Sequence, residues 1–183
     1  MAGGQERILR RRIRSVQSTK KITRAMELIA ASRIQKAQQR VHAAVPYAEG
    51  IAEVVRDLAA SGGAAGESPL LAQREHIRCT GYLAIAADRG LCGGYNGNIV
   101  RTVEAEMREH ARHGQNYRLY TVGRKVEGYF RYRDYHINGA YTGFSEAPTY
   151  EDARRIGQDI VNTFLESDLD LVRIIYTLSL IHI

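Results

Sequence analysis

Long apolar runs are scarce in this 183-residue sequence. None reaches the roughly 18 residues that a membrane-spanning helix needs. The first twelve residues, MAGGQERILRRR, contain no apolar segment before a cleavage site, so they do not form a secretory signal. The sequence therefore predicts a chain without a membrane span or a secretion leader.

Cysteine is scarce as well, with only Cys79 and Cys92 present. Their spacing matches neither a CxxC redox motif nor a zinc site, and free thiols are typical of cytosolic proteins. We expect Cys79, which precedes an apolar run, to be buried. We expect Cys92, which lies in a glycine-rich loop, to be reachable by oxidants.

Signatures of catalysis are also absent, since the sequence has no Ser/His/Asp pattern and no nucleophile elbow. His110 and His113 are three residues apart on a predicted helix, but the sequence offers no third ligand for a shared metal. We interpret them as basic residues favoured near a helix C-terminus, and the acidic pair Glu151 and Asp152 as favoured in a first helical turn. The sequence predicts no catalytic residue, no metal site and no cofactor.

Positive charge is concentrated at one end of the chain. The formal net charge is +6, yet residues 1–45 alone carry +9, which leaves −3 for the remainder. The acidic residues of this segment are Glu6 and Glu27, and its basic residues are Arg7, Arg10, Arg11, Arg12, Arg14, Lys20, Lys21, Arg24, Arg33, Lys36 and Arg40. Such an asymmetry indicates an acidic partner.

Residues 5–58 are dominated by good helix formers and predict one long α-helix, roughly 80 Å long at about 1.5 Å per residue. Its second half carries small or apolar residues in alternating steps of four and three, the heptad spacing of a coiled coil. We call this stripe the seam, and it comprises Ala30, Ile34, Ala37, Val41, Ala44, Ala48, Ile51, Val55 and Leu58. A helix of this length cannot bury the seam by itself, so we expect it to lie against partner helices.

Two features interrupt the pattern. Pro46 removes a backbone donor, so we expect a kink or a short break near Val45, and the continuing heptad favours the kink. The small residues that follow the helix are typical of a linker. We predict a helix over 1–60, a linker over 61–77, a second domain over 78–177 and an anomalous tail over 178–183.

The second domain alternates strands and helices. Apolar or β-branched runs predict strands at 82–86, 117–122, 135–141 and 169–176. Helical patterns lie between them at 96–113, 124–132 and 149–166. The predicted fold class is α/β, a long coiled-coil helix followed by a Rossmann-like domain with a mostly parallel sheet covered by helices.

A glycine-rich loop follows the first predicted strand and precedes a helix, a place where phosphate can bind. Its residues are Asp88, Arg89, Gly90, Leu91, Cys92, Gly93, Gly94, Tyr95 and Asn96. The spacing is neither GxGxxG nor GxxxxGK[ST], so we favour a tight connection with glycines at positive φ over a nucleotide site.

Two segments carry a specific resemblance to a known family. Residues 8–37, ILRRRIRSVQSTKKITRAMELIAASRIQKA, resemble the N-terminal helix of the gamma subunit of F-type, proton-translocating ATP synthase, and DRGLCGGYN at 88–96 resembles that family's signature loop. Pro46-Tyr47-Ala48 is a weaker match. The resemblance extends from residue 1 to about residue 176.

The resemblance implies a non-catalytic rotor subunit in the central stalk, coupling proton flow to ATP synthesis at the beta subunits. It implies the alpha, beta and epsilon subunits and the c-ring as partners in a hetero-oligomer. It also implies a peripheral position on the cytoplasmic side of the bacterial plasma (inner) membrane. By the match, Lys21, Arg24 and Met26 fall where the shaft meets beta-subunit loops; helix-surface charge and seam packing are the simpler interpretations.

The chain departs from the family at its end. Family members are about a hundred residues longer and finish in a second long helix, whereas Thr177–Ile183 resembles nothing they have there. We therefore expect a truncated reading frame or a foreign tail.

Two other functions remain open: a nucleotide-binding α/β enzyme with a helical oligomerisation arm, and a nucleic-acid-binding coiled-coil protein. The second is disfavoured because the N-terminal arginines lack interleaved aromatic residues and no known nucleic-acid-binding fold follows them.

Overall fold

The computed structural model describes residues 2–60, 68–71, 74–166 and 168–178. The chain divides into two compact units, Met1–Gly66 and Glu67–Ile183. Most of the predicted linker, and residues 179–183 of the predicted tail, lie outside the described residues. Within the described part, no helix has both the length and the apolar character that crossing a bilayer requires.

The first unit is helix α1, Ala2–Ala60. It confirms the predicted long helix and extends it by a few residues at each end. The helix continues through Pro46, so the alternative of a short break is wrong. One proline removes a single backbone hydrogen bond at a cost of about 3 kcal/mol, which the long helical flanks outweigh. The kink stays a prediction.

The second unit contains a four-stranded sheet in the order β3-β2-β1-β4, with every described pair of strands parallel. This confirms the predicted α/β class. Its elements along the chain are β1 Cys79–Ile85, α2 Tyr95–Arg112, β2 Asn116–Val122, α3 Arg124–Tyr132, β3 Gly139–Tyr141, α4 Tyr150–Leu165 and β4 Leu171–Ile175.

Two apolar cores lie on opposite faces of the sheet, because successive strand residues point to opposite sides. On one face, α2 and α3 cover β1 and β2 with a cluster that includes Tyr82, Leu119, Val103, Met107 and Phe130, each at most 1% exposed. On the other face, α4 contributes buried Ile156 and Ile160 to a cluster that includes Leu83, Tyr120 and Leu169. The central strands β1 and β2 are therefore covered on both sides.

Strand β3 is shorter than the predicted 135–141. Tyr135 belongs to the turn that ends α3, where its N–H donates to Phe130 O at 3.0 Å and its ring packs edge-on against the Phe130 ring. Asn138 then bridges to β2, accepting from Leu119 N through Oδ1 at 3.0 Å. Only the last three predicted residues pair with β2.

The start of α4 shows a cap that the sequence interpretation did not use. Thr149 and Asp152 form a capping box, in which Thr149 Oγ1 accepts from Asp152 N and Asp152 accepts from Thr149 N at 2.9 Å. Glu151 and Asp152 do lie in the first turn, as predicted. Asp152 thus acts through a directed hydrogen bond as well as through the helix dipole.

Candidate partner-binding surfaces

The seam lies on a helix whose described side chains, from residue 4 to residue 60, are all exposed. The large seam residues are about half exposed: Ile34 at 52%, Val41 at 59%, Ile51 at 47%, Val55 at 41% and Leu58 at 45%. Because successive seam residues are three or four positions apart, an α-helix keeps them on one face. The seam is therefore a largely exposed apolar stripe, and its cover by a partner helix stays a prediction.

The three residues predicted to contact a partner do not share one side of α1. At about 100° per residue, Lys21 and Arg24 lie about 60° apart, whereas Met26 lies on the side of Ala30 and the seam. Arg24 Nη1 also donates to Glu27 Oε2 at 2.7 Å. Lys21 and Arg24 form one basic surface and Met26 belongs to the apolar one. Their contact with a partner stays a prediction.

Threonines on this basic segment are satisfied within the helix. Thr19 Oγ1 donates to Ser15 O at 3.1 Å, and Thr23 Oγ1 donates to Thr19 O at 3.1 Å. Such back-bonding pairs the hydroxyls of Thr19 and Thr23 within the helix. These two hydroxyls are therefore not free donors for a partner.

The loop between β1 and α2 is organised by Asp88. Its carboxylate accepts from Arg124 N at 3.0 Å, from Gly143 N at 3.1 Å, and from Ser145 N and Oγ at 3.2 and 2.7 Å. Burial alone would raise the pKa of Asp88, but the hydrogen bonds from these groups outweigh it and lower that pKa below its usual value. Asp88 therefore ties the loop to α3 and to the segment after β3.

Asn96, in the first turn of α2, closes the other side of the same loop. Its Oδ1 accepts from Ala87 N at 2.9 Å, and its Nδ2 donates to Arg89 O at 3.2 Å and lies 3.1 Å from Cys92 Sγ. The side chain of Arg89 forms an ion pair with Glu146. The signature loop is thus held by internal contacts that the sequence could not specify, because most partners come from distant segments.

The expectation of glycines at positive φ is only partly correct. Gly93 has φ +58°, but Gly94 has φ −78° and Gly90 lies outside the positive region. Leu91 occupies the left-handed region instead, with φ 62° and a side chain that is 96% exposed. Left-handed backbone is unfavourable for a leucine, so the surrounding contacts must hold the loop in this shape.

The nucleotide-binding alternative gains no support from this geometry. The Asp88 carboxylate stands at the start of the loop, where it would repel a polyphosphate. Lys125 comes from α3, and its Nζ would lie 3.9 Å from a Cβ built on Gly90. The sequence spacing of a phosphate-binding loop is therefore not restored by the fold.

The cysteines and histidines have ordinary structural surroundings. Cys92 is exposed, as expected, but Cys79 is only half-buried because it begins β1 at the rim of the sheet. Burial raises the pKa of the Cys79 thiol. His110 Nδ1 is hydrogen-bonded to Tyr82 Oη, and His113 Nε2 lies 3.2 Å from Glu109 Oε1.

His110 lies in the last turn of α2, as the sequence predicts, and packs there against Tyr82 of the sheet. Among the described residues, no three His, Cys, Asp or Glu side chains lie close enough together to hold a metal ion.

Comparison with known proteins places these surfaces in a family. The family model described as ATP synthase matches residues 5–180. The ATP synthase gamma chain of Salinispora arenicola is 47% identical over 160 residues, covering 87% of this chain and 51% of that protein. The gamma chain of Mycolicibacterium smegmatis is 49% identical over 159 residues, covering 87% and 51%. The chain spans about half the length of these curated relatives.

A solved structure has a similar fold. A chain in the cryo-EM structure of the central stalk and c-ring of Tetrahymena thermophila mitochondrial ATP synthase is 23% identical. The match has a TM-score of 0.66 and covers 85% of this chain and 64% of that one, so the fold is shared. Because the family model matches nearly the whole sequence and the relatives named above are gamma chains, the chain belongs to the ATP synthase gamma chain family.

Proposed function

We propose that this chain is a non-catalytic rotor subunit of the central stalk of an F-type ATP synthase. In this role it couples proton flow through the membrane sector to ATP synthesis at the catalytic beta subunits. The observation that carries the proposal is α1: a 59-residue helix with an exposed apolar seam and a strongly basic first half, in a chain of the gamma family. A shaft needs length, stiffness and a surface that partners cover.

The partners proposed for this role are the alpha and beta subunits around the shaft, and the epsilon subunit and the c-ring at the α/β unit. The complex would be a hetero-oligomer, peripheral on the cytoplasmic side of the bacterial plasma membrane. We also propose the domain limits predicted from the sequence: a helix over 1–60, a linker over 61–77, the α/β domain over 78–177 and a tail over 178–183.

The proposed contact with beta-subunit loops is made by Lys21, Arg24 and Met26. Surface cations in water form weak, exchangeable contacts with acidic loops, which suits a shaft that must turn. Met26 would contribute through the seam side of the helix. To bind a partner carboxylate, Arg24 would have to give up its ion pair with Glu27.

Co-purification tests this assignment. The chain is co-expressed with tagged alpha and beta subunits of a bacterial F-type ATP synthase, and the complex is isolated at low salt. We expect the chain to be retained, and Lys21→Glu/Arg24→Glu to lower its retention by at least about fivefold, since like charges would then face the acidic loops. Lys36→Glu/Arg40→Glu, the same charge change farther along α1, is the matched control. Retention that is unaffected by both doubles would contradict the contact, and no retention at all would contradict the rotor role.

Torque is a separate matter. The seam has no covering helix among the described residues, so we propose that the chain as written does not transmit torque by itself. Single-molecule rotation of a reconstituted alpha–beta–gamma assembly measures this directly. Rotation comparable to that obtained with a full-length gamma subunit would refute the proposal.

A further inference from the structure

Helix α3 presents a basic and aromatic face to solvent. Val126 and Phe130 are fully buried on one side of the helix. Arg124, Gly128, Arg131 and Tyr132 lie within about 100° of one another on the opposite side, and Lys125 lies at its edge. All five are exposed, and Tyr132 is 85% exposed. We call these five residues the α3 face.

Gly128 forms a notch at the centre of this face. A Cβ built on it would meet nothing within 4 Å, so no packing within the second unit requires a glycine there. A glycine inside a helix costs about 1 kcal/mol relative to alanine. Gly157 in α4 is equally open, and an open glycine by itself indicates nothing. Gly128 differs because large side chains surround it: Arg124 and Tyr132 one turn away along the helix, and Lys125 and Arg131 beside it.

Two of the cations are not used within the described part of the chain. Arg131 Nη2 donates to Glu127 Oε1 at 2.7 Å. Arg124 donates to Asp88 through its backbone N–H, which leaves its guanidinium free of ion pairs among the described residues, and Lys125 likewise has none there. The α3 face therefore offers two available cations and a tyrosine around a notch where another backbone can approach closely.

We propose that the α3 face is a docking site for a carboxylate-rich segment of a partner protein, with the segment's backbone over Gly128 and its carboxylates on Arg124 and Lys125. Exposed tyrosine and arginine are the side chains enriched in protein interfaces. Nucleic acid fits less well, because two free cations fall short of the roughly six phosphate contacts of a typical binder. A lipid surface also fits less well, since Tyr132 is the one aromatic residue on the face and no aliphatic side chain accompanies it. The site does not depend on the rotor assignment.

The experiment uses carbodiimide coupling, which joins a carboxylate to a lysine amine only where the two touch. The full chain is incubated with an acetylated octaglutamate peptide, treated with the carbodiimide, and mapped by mass spectrometry. Lys36 on the basic helix α1 lies outside the contact proposed for Lys21 and serves as the internal reference for non-specific attraction. We expect coupling at Lys125, and we expect Gly128→Gln to lower the Lys125 yield by at least about fivefold relative to Lys36.

Gly128→Gln keeps the charge and favours the helix, so it fills the notch without unfolding α3. Gly157→Gln is the matched control and should leave the ratio unchanged. Tyr132→Ala provides a second variant and should lower the ratio by about threefold.

An unchanged ratio in both Gly128→Gln and Tyr132→Ala would overturn the proposal, as would an equal loss in the Gly157→Gln control. Vesicles of phosphatidylcholine and phosphatidylglycerol, or a single-stranded oligonucleotide, are added as competitors at equal charge. Loss of most of the Lys125 coupling to the peptide when either competitor is added would overturn the choice of an acidic protein segment.

Discussion

The two units of this chain place their apolar residues in opposite ways. In α1 every described side chain from residue 4 onward is exposed, including Ile34 and Val41 of the seam. In the α/β unit, Tyr82, Leu119 and Phe130 are completely buried between the sheet and its helices. The α/β unit buries its own apolar core, whereas α1 leaves an apolar stripe exposed. The two units therefore differ in whether their apolar residues are covered within the unit.

Hydrogen exchange gives the largest expected contrast between the units. In the isolated chain, we expect amides of α1 to open with less than about 2 kcal/mol, because a lone helix is only marginally stable in water. Amides of β1 and β2 should approach the global free energy of unfolding, about 5–15 kcal/mol for an ordinary domain. Mass-spectrometric exchange of peptides from the two regions measures the difference. If the amides of α1 and of the central strands are equally protected from exchange, the two units do not differ in stability as proposed.

Core truncation gives the next largest effect. Phe130→Ala should lower the free energy of unfolding of the α/β unit by about 4 kcal/mol, since it removes a fully buried ring that packs against Tyr129 and Tyr135. Ile34→Ala in the seam should change stability by less than about 0.5 kcal/mol, because the side chain is 52% exposed and alanine favours helix. Urea denaturation of both variants tests the pair. A similar loss from Ile34→Ala would mean that α1 is covered in the free chain.

The glycines of the two units should respond with opposite signs. Gly123 has φ 101°, and a Cβ there would lie 2.2 Å from Ala86 O, so Gly123→Ala should destabilise by about 3 kcal/mol. Gly50 lies in α1 with nothing near its would-be Cβ, so Gly50→Ala should instead raise helix stability by about 1 kcal/mol. Thermal melts followed by circular dichroism give both values. If Gly123→Ala melts like the parent chain, the close approach of β1 to α3 is not maintained in solution.

Asp88 gives the smallest effect and the one that depends on pH. Asp88→Asn should cost about 1–2 kcal/mol at neutral pH, because several donors lose a charged acceptor. The pKa of Asp88 is lowered in the folded state, so its contribution is complete above the unfolded-state pKa of about 3.9 and is lost as pH falls through the lower folded-state value.

Urea midpoints of the parent and the variant should therefore converge as the pH drops below about 4. Asp57→Asn, the same change on the exposed helix α1, is the control and should show little difference at any pH. If the urea midpoints of Asp88→Asn and the parent still differ by the same amount at pH 3, the hydrogen bonds do not depend on an ionised Asp88.

The sequence alone predicted the elements whose signals are local. The heptad spacing and helix-forming composition of residues 5–58 gave α1 within a few residues, because helix propensity and periodicity act between neighbours. The limits of α3 were predicted correctly for the same reason. Strand β3 was overextended, because whether Tyr135 joins a strand or a helix-ending turn depends on its packing against Phe130.

The candidate surfaces divide in the same way. The seam and the basic segment could be listed from the sequence because both are properties of a single helix. The α3 face needed the burial of Val126 and Phe130 to show which side of the helix is open. A signal for it does exist in the sequence. The spacing within residues 124–132 places Arg124, Lys125, Gly128, Arg131 and Tyr132 on one side of a helix.

What the sequence determined by itself is the long basic helix, its seam, the α/β alternation and the family of the chain, since each depends on periodicity or on an unbroken string of residues. Only the tertiary structure decided the role of Asp88, which joins Arg124, Gly143 and Ser145 from segments up to 57 residues away. It also decided that Leu91, not Gly90, takes the left-handed conformation. The physical reason is that a hydrogen-bond network between distant segments, and the backbone strain it supports, depend on where the sheet brings those segments together.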